Sequence, residues 1–282
     1  MSRQSGRGDR GGQARHRHDL RPRTPEAPVK QFLRRNANCL IVIPARIGSS
    51  RLAAKVLADL GGIPVVERVR RAAIRANCGA VVVATDDHEV METIERHGGA
   101  AVLTSRTCAS GTDRAAEAAR IIEKTQRRKF RVVVNLQGDE PFIAASTIRK
   151  TAALAAKGKC DIATAVVSIE AKAAREESMV KAVLAADGRC LYFSRSPVPF
   201  GKQAPLFQHI GIYAFRRDAL ARFVRLKPSR LEKTERLEQL RALEDGMTIA
   251  AAIVGDKTIA IDTARDLAAA RRRISKTRRP HG

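Results

Sequence analysis

From Cys39 onward the chain alternates short β-branched runs with segments whose apolar residues recur at helical spacing, and this alternation narrows the fold more than any other feature. "CLIVIPA" (39–45) enters a polar loop, and "GIPVVERVRRAAIRA" (62–76) follows with helical periodicity. "AVVVATDDHEVMETIERHGG" (80–99) repeats the arrangement as strand, Asp/Thr turn, helix and Gly-Gly stop. "AAVLTS", the helix "GTDRAAEAARIIEKT", the strand "RVVVNLQGD" and the helix "ASTIRKTAALAAKG" continue it. Strands joined by helices of this length require right-handed crossovers, so the sequence predicts an α/β fold with a mostly parallel sheet covered by helices on both faces.

After Asp161 the pattern changes. "DIATAVVSI", "KAVLAADGRCLYFSR" and "HIGIYAFRR" are strand-like with few helices between them, and Asp187-Gly188 between two apolar runs signals a hairpin. The second half therefore inserts antiparallel strands before a helical "LEKTERLEQLRALEDG" and a last strand "TIAAAIV".

A length of 282 residues with 44% apolar content supports a sizeable core, and no apolar stretch approaches the roughly 20 residues that span a bilayer, so no membrane insertion is expected. The five cysteines, Cys39, Cys78, Cys108, Cys160 and Cys190, are scattered without a CxxC pair, which reads as small buried hydrophobes in a reducing compartment. The net charge of +24 raises a nucleic-acid partner as a hypothesis, but its distribution argues against one. Residues 1–38 hold ten Arg/Lys against three Asp/Glu with almost no apolar periodicity, as expected of a disordered basic arm without the apolar core of a secretory signal. "RRRISKTRR" adds a second cluster on or just after a terminal helix, leaving 277–282 as a basic tail. Two tyrosines and no tryptophan leave little to stack on bases.

Two loops carry chemistry. "PARIGSSRLAAK" sets Arg46, Arg51 and Lys55 beside Gly48, Ser49 and Ser50, a pattern able to cradle a triphosphate through backbone N–H groups and three cations. A basic surface loop is the plainer reading. "VVVNLQGDEPF" ends a core strand in a glutamine, a glycine and two carboxylates; Gly138, Asp139 and Pro141 are ordinary turn formers, yet ligands of open parallel sheets sit at this end of the strands. Glu140 reads either as a support for a metal or as a cap for the helix beginning near Ala144, the second being favoured.

In order along residues 39–270, "IPARIGSSRLAAK", "VATDD", "SGTDRAAE", "VNLQGDEP", "LYFSRSPVPF", "HIGIYAFRR", "LEQLRALEDG" and "IDTARDL" resemble the 3-deoxy-manno-octulosonate (Kdo) cytidylyltransferase family. The resemblance implies a Rossmann-like cytidylyltransferase domain over 39–276 with a smaller mixed sugar-side and dimerisation lobe at about 161–216. It implies the Mg²⁺-assisted conversion of CTP and Kdo to CMP-Kdo and pyrophosphate for lipopolysaccharide synthesis, by a cytoplasmic homodimer. Carried onto this sequence, Arg46, Ser49, Arg51 and Lys55 would hold the triphosphate, and Ala84, Thr85, Ser110, Gly111, Arg114 and Gln137 would surround the cytidine. Asp139 and Asp262 would bind the metal, and Arg195, His209, Tyr213, Glu238 and Gln239 would face the sugar.

Each sugar-side residue has a plainer reading: His209 as a satisfied core histidine, and Glu238 and Gln239 as solvent-facing members of a charged helix. One departure stands out. Where the family loop reads RLPGKP this chain has "RLAAKV", losing two prolines and a glycine around Lys55, so either the cradle changes conformation or phosphate binding weakens. The alternatives are a cytidylyltransferase for a related sugar acid, 8-amino-Kdo or sialic acid, and a catalytically weak, nucleic-acid-binding paralogue.

Overall fold

The computed structural model describes residues 38–48, 54–201, 204–256 and 258–278. The expected N-terminal arm, apart from Asn38, and the last four residues of the basic tail lie outside them.

A single sheet of nine strands organises the described residues, its main path running β3-β2-β1-β4-β8-β5-β9. Its first four strands in sequence are β1 (Cys39–Pro44), β2 (Ala80–Thr85), β3 (Ala101–Leu103) and β4 (Val132–Leu136). They are parallel neighbours, as the crossover argument requires. The helices between them are α1 (Val65–Ala76), α2 (His88–Arg96) and α3 (Gly111–Gln126), with α4 (Ala145–Ala156) following β4. Along β1, Ile41 and Ile43 face a core shared with α1 and α4, while Leu40 and Val42 face one shared with α3. With both faces covered, an unbroken apolar run replaces the alternation of a half-exposed strand. Each such side chain contributes about 1.5–3 kcal/mol of burial.

The second half keeps the sheet mixed. β5 (Ile162–Ser168) pairs with β9 (Ile249–Val254) in parallel, and β8 (Phe207–Arg216) runs antiparallel between β4 and β5. Within 161–216, β5 and β8 thus belong to the central sheet. The strands outside its main path are β6 (Lys181–Leu184) and β7 (Cys190–Ser194), antiparallel across the Asp187-Gly188 turn, with β6 also pairing to β8. Gly188 has φ 84°, which the turn requires.

After β8 come α5 (Arg217–Phe223), α6 (Arg230–Glu235), α7 (Leu240–Glu244) and, at the end, α8 (Ala264–Arg278). The expected single helix over "LEKTERLEQLRALEDG" is corrected to two. Arg236 adopts φ 56° and closes α6, so Glu238 and Gln239 stand at the break before α7. Leu267 and Ala270 of α8 pack with Leu60, Val65 and Ile261 in a third, small core. No helix of the described residues is long and apolar enough to cross a membrane.

Candidate active site

β1 and β4 are adjacent and parallel, so the loops leaving both open on the same side of the sheet. The turn after β4 approaches β1 so closely that a Cβ on Gly138 would stand 2.8 Å from the Pro44 carbonyl; only glycine fits. Asp139 is thereby held beside the loop from β1. A third segment arrives from the far end of the chain: the Ile261 N–H donates to the Asp139 carbonyl at 2.9 Å. Next to it, Asp266 accepts from the Asp262 and Thr263 N–H groups, and the Asp266 N–H donates to the Thr263 hydroxyl at 3.2 Å, so the start of α8 orients Asp262.

Lys55 joins the two carboxylates, its Nζ donating to Asp139 Oδ2 at 2.6 Å and to Asp262 Oδ1 at 2.9 Å. Burial works against the lysine's charge, but Asp139 and then Asp262 more than offset it, and its pKa lies above the ordinary value. The cluster lines a cleft of about 320 Å³ with Arg46, Ser110, Gly111, Arg114 and Gln137. A larger groove of about 1230 Å³ continues past Arg46, Ser110 and Gly111 to Glu238 and Arg241.

Ser110 caps α3, taking the Asp113 N–H on its hydroxyl while the Asp113 carboxylate takes the Ser110 N–H, so the positive end of a sixteen-residue helix faces the cleft. Arg114 is nearly fully buried and fixed at both nitrogens, donating to Thr104 Oγ1 at 2.6 Å and to Asp86 Oδ2 at 2.9 Å. Gln137 donates to Asn135 Oδ1 at 3.4 Å. Asn135 donates to Thr112 Oγ1 at 3.1 Å, and Thr112 donates to Glu238 Oε2 at 2.7 Å. This relay links the glutamine after β4 to the break between α6 and α7.

His209 and Tyr213 share one side of β8, their ring centroids 5.1 Å apart, and Phe193 meets the His209 ring edge-on at 5.3 Å. The single hydroxyl proton of Thr164 goes to the Ile212 carbonyl, so Thr164 Oγ1 accepts at 2.8 Å from Nε2 of the His209 imidazole. Burial lowers its pKa to about 4. Burial, then Glu238 and Cys190, pushes the Tyr213 phenol up.

The expected residues divide accordingly. Arg46, Lys55, Ser110, Gly111, Arg114, Gln137, Asp139 and Asp262 converge on one cleft. Ser49 and Arg51 lie outside the described residues. Ala84 and Thr85 are buried at the end of β2, and their carbonyls accept from Ala45 N–H and Thr104 N–H. Arg195 is not brought to the cleft; its guanidinium donates to the Glu235 and Glu177 carbonyls. Glu140 is no helix cap: α4 begins at Ala145, with Ala144 at its N-cap and no side-chain cap, and Glu140 instead lies buried, accepting from the Thr258 hydroxyl. Burial, opposed by that bond, raises its pKa to about 7.

Asp86, Thr104, Thr112 and Asn135 were not anticipated. Asp86 and Asn135 sat in quoted motifs at strand ends, a usable signal; Thr104 and Thr112 gain meaning only from their partners.

A divalent ion is compatible with this site. Two carboxylates bonded to one nitrogen are close enough to share a cation, and among the described residues no group of three or more His, Cys, Asp or Glu could hold one. An all-oxygen pair suits Mg²⁺, which keeps several waters and needs few protein ligands.

A cation-lined cleft at the carboxyl ends of parallel strands, closed by a helix N-terminus and paired carboxylates, defines a nucleotide-handling α/β protein. Residues 40–249 match the cytidylyltransferase family model. The 3-deoxy-manno-octulosonate cytidylyltransferase of Elusimicrobium minutum is 48% identical over 244 residues, covering 83% of this chain and 97% of that protein. Its namesake from Rhodospirillum centenum is 47% identical over 240 residues, covering 83% and 92%. A solved CMP:2-keto-3-deoxy-manno-octonic acid synthetase complexed with CTP superposes with a TM-score of 0.78 at 36% identity, over 85% of this chain and 99% of that one. A putative glucose-1-phosphate thymidylyltransferase from Bacillus anthracis shares the fold, with a TM-score of 0.61 at 14% identity over 86% and 97%. The chain belongs to the 3-deoxy-manno-octulosonate cytidylyltransferase family.

Proposed function

We propose that this protein activates Kdo with CTP, giving CMP-Kdo and pyrophosphate for lipopolysaccharide synthesis, as a cytoplasmic homodimer. The observation that carries the reading is the junction of Lys55, Asp139 and Asp262, from three distant segments, in a cleft beside a helix N-terminus.

The sugar hydroxyl attacks the α-phosphorus in line with the departing pyrophosphate, a reaction that needs alignment and charge neutralisation more than covalent help. Arg46 and Lys55 bind the phosphates, and the N–H groups at the start of α3 add partial positive charge. Arg114, locked by Thr104 and Asp86, presents a fixed donor edge to the base beside Gln137. Asp139 and Asp262 would hold Mg²⁺, which would supply neutralisation of the charge on the phosphate oxygens. On the acceptor side, Tyr213, neutral His209, Glu238 and Gln239 recognise the sugar acid. Glu238 Oε1 and Gln239 Nε2 are buried without hydrogen-bond partners among the described residues, which favours a ligand hydroxyl reaching them.

The test is pyrophosphate release with CTP and Kdo, 8-amino-Kdo or sialic acid. Turnover fastest with Kdo, lost in chelator, restored by Mg²⁺ and depressed by orders of magnitude in Lys55→Ala is the expected result. Preference for another acid moves the assignment to that acid, and CTP binding without turnover of any of them overturns it.

A further inference from the structure

At the other end of the sheet, where β1 and β4 begin, lies a second cavity of about 910 Å³. Cys39 and Cys78 both line it and pack against the same face of the sheet. The β1–β2 register pairs Leu40 with Ala80, which puts Cys39 opposite Gly79 and diagonal to Cys78. A Cβ on Gly79 would stand 2.5 Å from the Cys39 carbonyl and 3.1 Å from the Cys39 Cβ, so the missing side chain lets the two cysteine-bearing segments close on one another. The lining carries Lys129, Arg131, Arg149, Arg216 and Arg217 against two acids. Both acids are spoken for: Glu123 pairs with Arg217, and Asp218 with Arg216. Lys129, Arg131 and Arg149 therefore give the opening a positive field.

The five thiols differ in access and activation. Cys160 and Cys190 are buried. Cys108 is partly exposed, but its Sγ donates to Glu117 Oε2 at 2.9 Å, and burial followed by that carboxylate pushes it up to about 12. Cys39 and Cys78 are also partly exposed, contrary to the expectation of buried hydrophobes. The two thiols perturb one another: the neighbouring Cys39 lowers the Cys78 pKa against the effect of burial, with Arg149 helping, while Cys78 and then burial raise that of Cys39 well above its usual value. Arg149 is anchored there by its bond to the Ala76 carbonyl at the end of α1, 3.1 Å long.

We propose that Cys39 and Cys78 form a thiol modification site in which the basic cavity gathers a small anionic disulfide, Cys78 attacks it and Cys39 resolves the adduct. The Cys78 sulfur bonds to one sulfur of the reagent as its S–S bond breaks, releasing one small thiol. The Cys39 sulfur then displaces the second small thiol from Cys78. The pair ends as an internal disulfide, two electrons and two protons having passed to the two released thiols.

The experiment uses the full chain with oxidised glutathione and the neutral bis(2-hydroxyethyl) disulfide, each rate normalised to that with free cysteine. The expected result is a preference for oxidised glutathione of about tenfold or more at low salt, collapsing at high salt. Intact mass should fall by two hydrogens, and peptide mapping should place the bond between Cys39 and Cys78. Cys39→Ser should stop at a mixed disulfide on Cys78, and Cys78→Ser should leave the pair unreactive with CTP-dependent pyrophosphate release unchanged. A Lys129→Gln, Arg131→Gln variant keeps both thiols and Arg149, and should lose the anion preference while keeping the neutral rate. Equal normalised rates for the two reagents, or first modification at Cys108, overturn the proposal.

Discussion

Ala54 occupies a backbone conformation that an alanine side chain disfavours. Its φ is 49°, and its N–H donates to the Ile47 carbonyl at 3.3 Å, closing the loop that delivers Lys55. The left-handed turn therefore survives where the sequence departs from the family's glycine, and the chain bears the steric cost. That cost is about 1–2 kcal/mol, against somewhat less than 1 kcal/mol of extra unfolded-state entropy for glycine. Ala54→Gly should consequently raise stability by roughly 0.5–1 kcal/mol, read as a higher urea midpoint at unchanged slope. An unchanged or lower midpoint would mean the strain is relieved elsewhere. His209 offers a second residue-scale check. Its folded pKa of about 4 lies below the ordinary 6.5, so between these values the unfolded chain binds the extra proton. The stability it contributes is present above pH 6.5 and is lost as pH falls toward 4. His209→Gln, uncharged throughout, should show a shallower decline across that window in parallel urea titrations.

At the scale of elements, α1 is fastened by a buried ion cluster. Glu67 is fully buried and accepts from Arg70 Nε at 2.6 Å, Arg70 Nη2 at 2.9 Å and Arg71 Nε at 2.7 Å, while Arg70 also reaches the His97 carbonyl after α2. Burial alone would raise the carboxyl pKa; the two arginines more than offset it and hold it below the usual range. Removing one partner of such a pair strands the other, at a cost of about 3–5 kcal/mol. Glu67→Ala should destabilise by that order, whereas Arg71→Ala, which removes a half-exposed partner, should cost far less. Comparable losses in thermal melts of the two variants would argue that Glu67 acts through packing alone.

The catalytic proposal belongs to the whole molecule, because Asp139 and Asp262 lie 123 positions apart and meet only through the fold. If both serve one ion, Asp139→Asn and Asp262→Asn should each lower turnover by orders of magnitude, and the double variant should be little worse than either. Multiplicative losses in steady-state kinetics would show that they act in separate steps.

Much of this architecture was legible in the order of residues. Parallel pairing of β1 to β4 follows from alternating strand and helix signals, since a helix-length connection leaves a chain few ways back to the same sheet. The Asp187-Gly188 hairpin was equally local, a matter of which residues tolerate positive φ. The proposed phosphate loop and the carboxylate after β4 could be located because ligands of open parallel sheets sit at the carboxyl ends of the strands. What depended on tertiary structure was every relation between distant segments. The insertion of β8 between β4 and β5 has no local signature, because strand partners are chosen by the packing of whole faces. Glu140 read as a helix cap from its position, yet the fold buries it against Thr258. Glu238 and Gln239 left their helix because Arg236 closes α6 in a left-handed conformation that periodicity does not register. Cys39 and Cys78, far apart in an unremarkable count of thiols, became neighbours through one strand register and one glycine. Residue type sets what a side chain can do chemically and which local backbone it favours; which groups share a dielectric, a hydrogen bond or a cation is set by distances that only the packed chain defines.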